Sequence, residues 1–178
     1  RHAAASWSGP LSVEQKEVRR SPPKLFSKDT LARRCAKRFG WDPQHTAKLA
    51  QELYDQGYSS YPRTESEHLP ESQTGDAGPV LESVTDVLPG LAHLRPAARD
   101  LIVRKGSRGH YVKDPGEHHA IVPLRKAPQA GSVGADHFRL WELVAKSFLA
   151  AHLPDGIDAR KTVSAQVATP LGPKRFAV

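Results

Sequence analysis

The segment FSKDTLARRCAKRFGWDPQHTAKLAQELYDQG (residues 26–57) decides the fold, because it encodes two helices and a short connection between them. In its first half, Ser27 is a suitable N-cap and Gly40 a suitable stop signal. Between these two residues, apolar side chains recur at helical spacing, at Leu31, Cys35 and Phe39. The pattern predicts one amphipathic helix that ends at Gly40.

The second half of the segment predicts another helix. Asp42 is a good N-cap, and Pro43 suits the first helical position, where its missing N–H costs nothing. We expect Gly57 to end this helix. The predicted buried stripe consists of Ala47, Ala50, Leu53 and Tyr54. Two helices joined by a Gly-Trp-Asp turn are typical of a helix-turn-helix, but also of ordinary helix packing.

The first helix carries a group of cations on its remaining faces, at Arg33, Arg34, Lys37 and Arg38. The chain as a whole has a formal net charge of +7 and a pI near 9.7. An excess of Lys and Arg attracts polyanions, most often nucleic acid. Charge alone leaves open whether these residues bind DNA phosphates or form a solvated basic surface.

Composition excludes several classes of protein. In 178 residues, no apolar run is long enough to cross a bilayer, so we expect no membrane association. The single cysteine, Cys35, cannot form an internal disulfide and indicates a reducing compartment. The chain starts at Arg1 and lacks methionine, which suggests a piece of a longer protein. We expect a cytoplasmic, DNA-associated protein.

The remaining sequence predicts an α+β fold. Alternating residues in 11–20 and again in 161–178 are typical of strands, whereas helices are predicted around 80–88, 95–103 and 136–153. Strands at both ends of a helical block suggest a helical domain inserted into a β domain. We therefore expect strand-like segments at 1–27 and 153–178, and a helical domain at 28–152 with a helix-turn-helix-like core.

A candidate for chemistry follows the second helix, in SSYPRTES (residues 59–66). Pro62 keeps Tyr61 out of helical conformation, and in an extended segment Tyr61 and Arg63 project to one face. A guanidinium beside a phenol would hold a phosphate and stabilise the charge that develops during attack. The alternative is structural: Tyr61 packs its ring, and Arg63 forms a surface ion pair with Glu65 or Glu67.

Four segments of the chain, in the same order, resemble parts of the type IA DNA topoisomerases. SSYPRTES resembles their Tyr-Pro-Arg-(Ser/Thr)-Asp active-site segment, and the helix pair before it resembles the one that precedes that segment. EHHAIVP (117–123) resembles their His-x-Ala-Ile-x-Pro motif, and LWELVAKSFLAAHLPD (140–155) resembles a later helix. The tyrosine motif and HHAI are most similar to the topoisomerase III branch.

The resemblance implies roles for three residues. Tyr61 would be the nucleophile that forms a 5′-phosphotyrosyl bond with single-stranded DNA, Arg63 would hold the scissile phosphate region, and His118 would hydrogen-bond a nearby phosphate. His119 is a weaker candidate, because adjacent residues of an extended segment point in opposite directions. The sequence departs from the family at Glu65, where Asp is usual, and at Leu124, where Ser or Thr is common.

The resemblance also implies parts that this sequence does not show. Family members are gates in which a helical tyrosine domain is hinged on a β-rich arch domain, and the carboxylates of a Toprim domain bind Mg²⁺. We expect no metal site or cofactor in this chain itself, and no activity without the Toprim domain. The expected partners are DNA, chiefly single-stranded, and those missing domains. The competing hypothesis is a noncatalytic helix-turn-helix module that binds DNA through the cations of the first helix.

Overall fold

The computed structural model of this chain describes residues 9–129, 131–167 and 171–177. It contains two compact units. One is a mainly helical unit, Pro22–Pro154, and the other combines residues from the two ends of the chain, up to and including Ser21 and from Asp155 onward. The fold is therefore a mixture of α and β structure, as predicted. The core of the helical unit includes Leu25 and Phe26, and the domain boundary at residue 28 stays a prediction.

The helix pair forms where its local signals predict. Helix α1 spans Lys28–Phe39, and Ser27 caps it through a reciprocal pair of hydrogen bonds with Thr30. Gly40 follows in the left-handed conformation with φ of 72° and donates its N–H to the Ala36 carbonyl. Helix α2 spans Pro43–Asp55, and the Asp42 carboxylate accepts a hydrogen bond of 2.8 Å from the His45 N–H.

The buried face of α1 is as predicted, but that of α2 is rotated by one residue. Leu31 and Cys35 are buried, whereas the α2 stripe consists of Thr46, Leu49, Ala50 and Leu53. Ala47 and Tyr54, which were predicted to be buried, are exposed. Thr46 can take the interior position because its hydroxyl donates to the Asp42 carbonyl at 3.1 Å, which leaves no unsatisfied polar atom.

Two further helices complete the core of this unit. Helix α3 spans Ala77–Val87 and buries Val80, Leu81 and Val84. Helix α4 spans Ala135–Ala151 and buries Trp141 and Phe148, among others. Both helices were predicted. The helix predicted at 95–103 is wrong: the structure has only a 3₁₀ turn at Ala98–Asp100. Pro96 disfavours helical conformation at the preceding residue and cannot donate to a helix ladder.

A buried hydrogen-bonded pair joins α4 to a short parallel ladder formed by β2 (Leu69–Pro70) and β3 (Tyr111–Val112). His152 Nδ1 donates to the Phe148 carbonyl at 2.8 Å, so in the neutral ring the proton is on Nδ1 and Nε2 is the acceptor. Nε2 accepts a hydrogen bond of 2.8 Å from the Tyr111 hydroxyl. His152 is completely buried. Burial lowers the pKa of His152 and of nearby His110, because it disfavours the charged imidazolium.

The other unit contains an antiparallel sheet in the order β1-β4-β5. Strand β1 (Leu11–Arg20) pairs with β4 (Gly156–Val167), with Leu11 opposite Ala165 and Arg20 opposite Gly156. Strand β5 (Lys174–Ala177) pairs with the end of β4. These elements confirm the predicted strands, except that parts of the predicted end segments, 1–8, 168–170 and 178, lie outside the described residues. None of the described helices is long and apolar enough to cross a membrane.

Candidate active site around Tyr61

The backbone of the tyrosine segment is fixed by hydrogen bonds to the histidine-containing segment. Ser60 donates its N–H to the Val122 carbonyl at 2.9 Å, and Leu124 donates its N–H to the Tyr58 carbonyl at 3.1 Å. The buried Ser60 hydroxyl adds two bonds. It accepts from the Val122 N–H at 2.9 Å and donates to the Ala120 carbonyl at 3.0 Å. The residue before Tyr61 is therefore held by three hydrogen bonds, through its backbone N–H and its hydroxyl.

Thr64 fixes the other side of Tyr61. Its buried hydroxyl donates to the His118 carbonyl at 3.0 Å. Its carbonyl accepts from the Lys28 N–H at 2.8 Å, in the first turn of α1. Ser60 and Thr64 thus connect the tyrosine segment to both the histidine segment and the helix pair. Because buried polar groups bonded in this way rigidify their surroundings, the backbone that carries Tyr61 is preorganised.

The Tyr61 side chain lies outside the hydrophobic core. It is half-buried and lines an open cavity of about 290 Å³. Its ring centroid lies 4.4 Å from that of His118 at a tilt of 48°, and 5.4 Å from that of Tyr54 in an edge-to-face contact. The ring is therefore held between two aromatic neighbours while it remains accessible from the cavity. The other residues that line this cavity are Pro70, Pro115, Gly116, Glu117 and His119.

Arg63 points outward like Tyr61 but lines a different cavity. Burial alternates along the segment: Ser60, Pro62 and Thr64 are buried, whereas Tyr61 is half-buried and Arg63 is exposed. This alternation is the one that an extended segment predicts. However, the backbone bends at Pro62 and Arg63, and Arg63 lines a groove of about 380 Å³ beside α1 and α2.

The structural alternative for Arg63, an ion pair with Glu65 or Glu67, does not form. Glu65 instead pairs with Lys28 at 2.5 Å, and both side chains are largely exposed. Within the described part of the chain, Arg63 makes no hydrogen bond or ion pair. Its guanidinium thus carries five N–H donors that face solvent.

His118 and His119 both line the Tyr61 cavity, although the sequence predicts that at most one of them faces it. His118 is exposed and contacts the Tyr61 ring. His119 is half-buried, and its Nδ1 lies 2.8 Å from the Ala120 carbonyl, to which it donates. Among the described residues, both ring nitrogens of His118 are therefore open to a ligand, whereas His119 has only Nε2 open.

The four cations of α1 lie elsewhere. Arg33, Arg34, Lys37 and Arg38 are all exposed. In the described structure they line neither the Tyr61 cavity nor the groove that contains Arg63. The guanidinium carbon of Arg38 lies 5.6 Å from the centre of the Phe39 ring, a cation–π contact. These cations form a separate basic face, which can attract a polyanion but does not reach Tyr61.

Sequence reasoning missed several residues of the site. Tyr54 was assigned to the core, but it is 40% exposed and contacts Tyr61. Ser60 and Thr64 were not singled out, although small hydroxyl residues at alternate positions around an X-Pro bond are a usable signal. Glu117 contributes a carboxylate to the cavity. Nothing in its local sequence distinguishes it from a solvated surface acid.

The described residues contain no group of three or more His, Cys, Asp or Glu side chains arranged to hold a metal ion. The two adjacent histidines lack the further ligands that zinc or magnesium requires. The donor set of the Tyr61 cavity consists of two imidazoles and one carboxylate, and the Arg63 guanidinium lies in the neighbouring groove. Together these groups suit a phosphate better than a divalent cation.

Comparison with known proteins decides the family. Residues 11–176 match the family model described as DNA topoisomerase. The chain belongs to the type IA DNA topoisomerases. It is 33% identical over 172 residues to DNA topoisomerase 1 of Pyrococcus horikoshii, which covers 93% of this chain. It is 34% identical over 139 residues to DNA topoisomerase 3 of Bacillus subtilis, which covers 74% of this chain. Its relatives thus include proteins named topoisomerase 1 and proteins named topoisomerase 3.

The topoisomerase fold is also found by structural comparison. The full-length topoisomerase I from Thermotoga maritima superposes on 94% of this chain with a TM-score of 0.58, at 20% identity. The chain spans only 23% and 18% of the length of the Pyrococcus and Bacillus relatives. It therefore corresponds to one portion of a type IA topoisomerase.

Proposed function

We propose that this chain is the tyrosine-bearing gate segment of a type IA topoisomerase that cleaves single-stranded DNA transiently. In the proposed reaction, Tyr61 Oη attacks a backbone phosphorus and forms a 5′-phosphotyrosyl ester. The bond from phosphorus to the 3′ oxygen breaks, the phenol gives up its proton, and the 3′ oxygen gains one. After another strand has passed, the 3′-hydroxyl attacks the same phosphorus, the bond from phosphorus to Tyr61 Oη breaks, the 3′ oxygen gives up its proton, the phenol regains one, and the phosphodiester is restored.

One observation carries this proposal: the Tyr61 ring lies in an open cavity against the exposed His118, not in the interior. A phosphate could therefore approach the phenol without local unfolding. The hydrogen bonds of Ser60 and Thr64 keep the segment in place, so little reorganisation precedes attack.

The proposed roles of Arg63 and His118 follow from their chemistry. Both can donate hydrogen bonds to phosphate oxygens, and a guanidinium also neutralises the charge that develops in the transition state. Arg63 has no competing partner among the described residues, and it follows Tyr61 by two positions. Two residues of chain span at most about 7 Å, so one phosphodiester could lie within reach of both side chains.

Magnesium enters this proposal only as an ion held outside this chain, by the Toprim carboxylates that the family resemblance implies. The described residues do not form a site for it, and no step is assigned to it here. We expect the isolated chain not to relax DNA, and its partners to be single-stranded DNA and the Toprim and arch domains.

The test uses the complete parent enzyme and an oligonucleotide labelled at its 3′ end, because the fragment that bears that end also bears the tyrosyl-linked 5′ phosphate. Tyr61→Phe should leave noncovalent DNA binding intact and abolish the labelled covalent adduct on a denaturing gel. Tyr58→Phe is the matched control: Tyr58 precedes Tyr61 by three residues but packs under Lys126, and this variant should still form the adduct. An adduct that survives Tyr61→Phe would refute the assignment.

Arg63→Ala should slow adduct formation by about a hundredfold, because loss of one preorganised electrostatic donor costs roughly 3 kcal/mol of transition-state stabilisation. Single-turnover cleavage at saturating enzyme measures this rate separately from binding. A rate within a factor of two or so of the wild-type rate would remove Arg63 from the mechanism.

A second function is favoured by the exposed cations of α1: noncatalytic DNA binding by the helix pair. Changing Arg33 and Arg34 to Gln should then weaken binding uniformly across sequences and reduce its salt dependence. If the wild-type parent binds DNA with this salt dependence but never forms a tyrosyl adduct, the noncatalytic function is the correct one.

A further inference from the structure

A second cavity lies beside the Tyr61 site, and apart from Arg63 none of its lining residues is used in the reaction proposed above. It is the groove of about 380 Å³ between α1 and α2, which Pro62 and Arg63 close on one side. Apolar atoms form most of its surface, and its apolar lining residues include Leu31, Ala32, Ala47, Ala50, Pro62 and Ile121. Its volume falls within the usual range of pockets for small organic ligands.

The exposure of Ala47 is explained by this groove. Ala47 was predicted to lie in the core, but it faces the open space between the helices. Small side chains at Ala32 and Ala47 keep the two helices from filling this space. The result is a groove with a largely apolar lining next to the tyrosine segment.

The rim of the groove is cationic. Lys28, Lys48 and Arg63 line it, against one acid, Glu52. Glu52 is engaged by His137 at 2.5 Å, and Lys48 lies 4.0 Å from it. Lys28 pairs with Glu65, but both of these side chains are largely exposed, so the pair is weak and readily exchanged. Arg63 makes no ion pair within the described residues.

We propose that this groove binds one nucleotide of the single strand, with the base on the apolar floor and its phosphate at Arg63 and Lys28. The inference rests on the proposed function. A strand whose 5′ end is esterified to Tyr61 must be carried by this unit, and its nearest nucleotide has to lie close by. The groove offers an apolar lining for the face of a base and cations at its rim for the phosphate. Binding of this kind does not depend on which base is present, since every base has such a face.

The experiment measures binding by the 178-residue chain itself, without cleavage. Fluorescence anisotropy with a labelled five-residue oligothymidylate is compared with an abasic oligonucleotide of the same length and charge. We expect the abasic strand to bind about tenfold more weakly, because burial of one base face removes roughly 60 Å² of apolar surface from water.

A matched pair of variants locates the effect. Ala47→Trp fills the groove, whereas Ala36→Trp adds the same side chain at an exposed position of α1 outside it. Both alanines are exposed on helices, so both variants should fold, which circular dichroism verifies. Ala47→Trp should lower the affinity for oligothymidylate about tenfold and leave abasic binding unchanged, and Ala36→Trp should affect neither.

Two results would overturn the proposal. One is equal binding of the two oligonucleotides by the wild-type chain, and the other is equal affinity of the Ala47→Trp and Ala36→Trp variants for oligothymidylate. The second result would indicate that the oligonucleotide does not bind in this groove. Neither would affect the Tyr61 adduct test, so failure of this inference can be distinguished from failure of the proposed function.

Discussion

Replacement of Ser60 by Ala tests how the tyrosine segment is held. The Ser60 hydroxyl is buried and joins two backbone groups of the histidine segment, the Val122 N–H and the Ala120 carbonyl. The variant removes both bonds and leaves no room for water to replace them without rearrangement. We expect a clear loss of stability in the helical unit.

The size of the stability loss in Ser60→Ala depends on which buried groups lose their hydrogen-bond partners. The Val122 N–H becomes a buried donor without an acceptor, which costs about 1–3 kcal/mol. Loss of the bond to the Ala120 carbonyl costs less free energy, because His119 Nδ1 still donates to this carbonyl at 2.8 Å. We therefore expect a loss of about 2–3 kcal/mol in the free energy of unfolding. For a unit of this size the melting temperature should fall by roughly 10 °C.

The neighbouring residue is the control. Ser59 is equally buried, but its hydroxyl has no hydrogen-bond partner in the described structure. Ser59→Ala should therefore be neutral or slightly stabilising, because it removes an unsatisfied buried polar atom. The assay is thermal unfolding of the wild type and both variants, followed by helical circular dichroism. Equal destabilisation by the two substitutions would refute the assignment of the Ser60 bonds.

Two further predictions concern buried titratable groups. Burial lowers the pKa values of His152 and His110 below 6.5, so the unfolded chain binds more protons than the folded chain below about pH 6.5. The free energy of unfolding, measured by urea denaturation, should fall as pH drops through this value, by at most about 1.4 kcal/mol per pH unit for each histidine. His152→Leu combined with Tyr111→Phe should reduce this slope, and an unchanged slope would show that His152 does not contribute. Burial also raises the pKa of the Cys35 thiol to about 11. A thiol reagent at pH 8 should therefore label Cys35 only when urea unfolds the chain. Rapid labelling of the folded chain would contradict the position of Cys35 in the core.

The local signals of the sequence determined most of the helix pair. Ser27, Gly40, Asp42 and Pro43 act on backbone groups within four residues, so their effects can be read without knowing the rest of the fold. The same holds for Pro62, which keeps Tyr61 out of helix. Recognition of the tyrosine and histidine motifs then sufficed to predict the family, which the comparisons confirm.

The tertiary structure alone decided which sides of these elements are buried and what surrounds Tyr61. The periodicity of α2 fitted two stripes one residue apart, and only packing against the other helices selected the one that exposes Ala47 and Tyr54. The Ser60 hydroxyl is held by residues about 60 positions later in the chain. Contacts over such distances depend on how all the elements pack together, and no local pattern of residues specifies them.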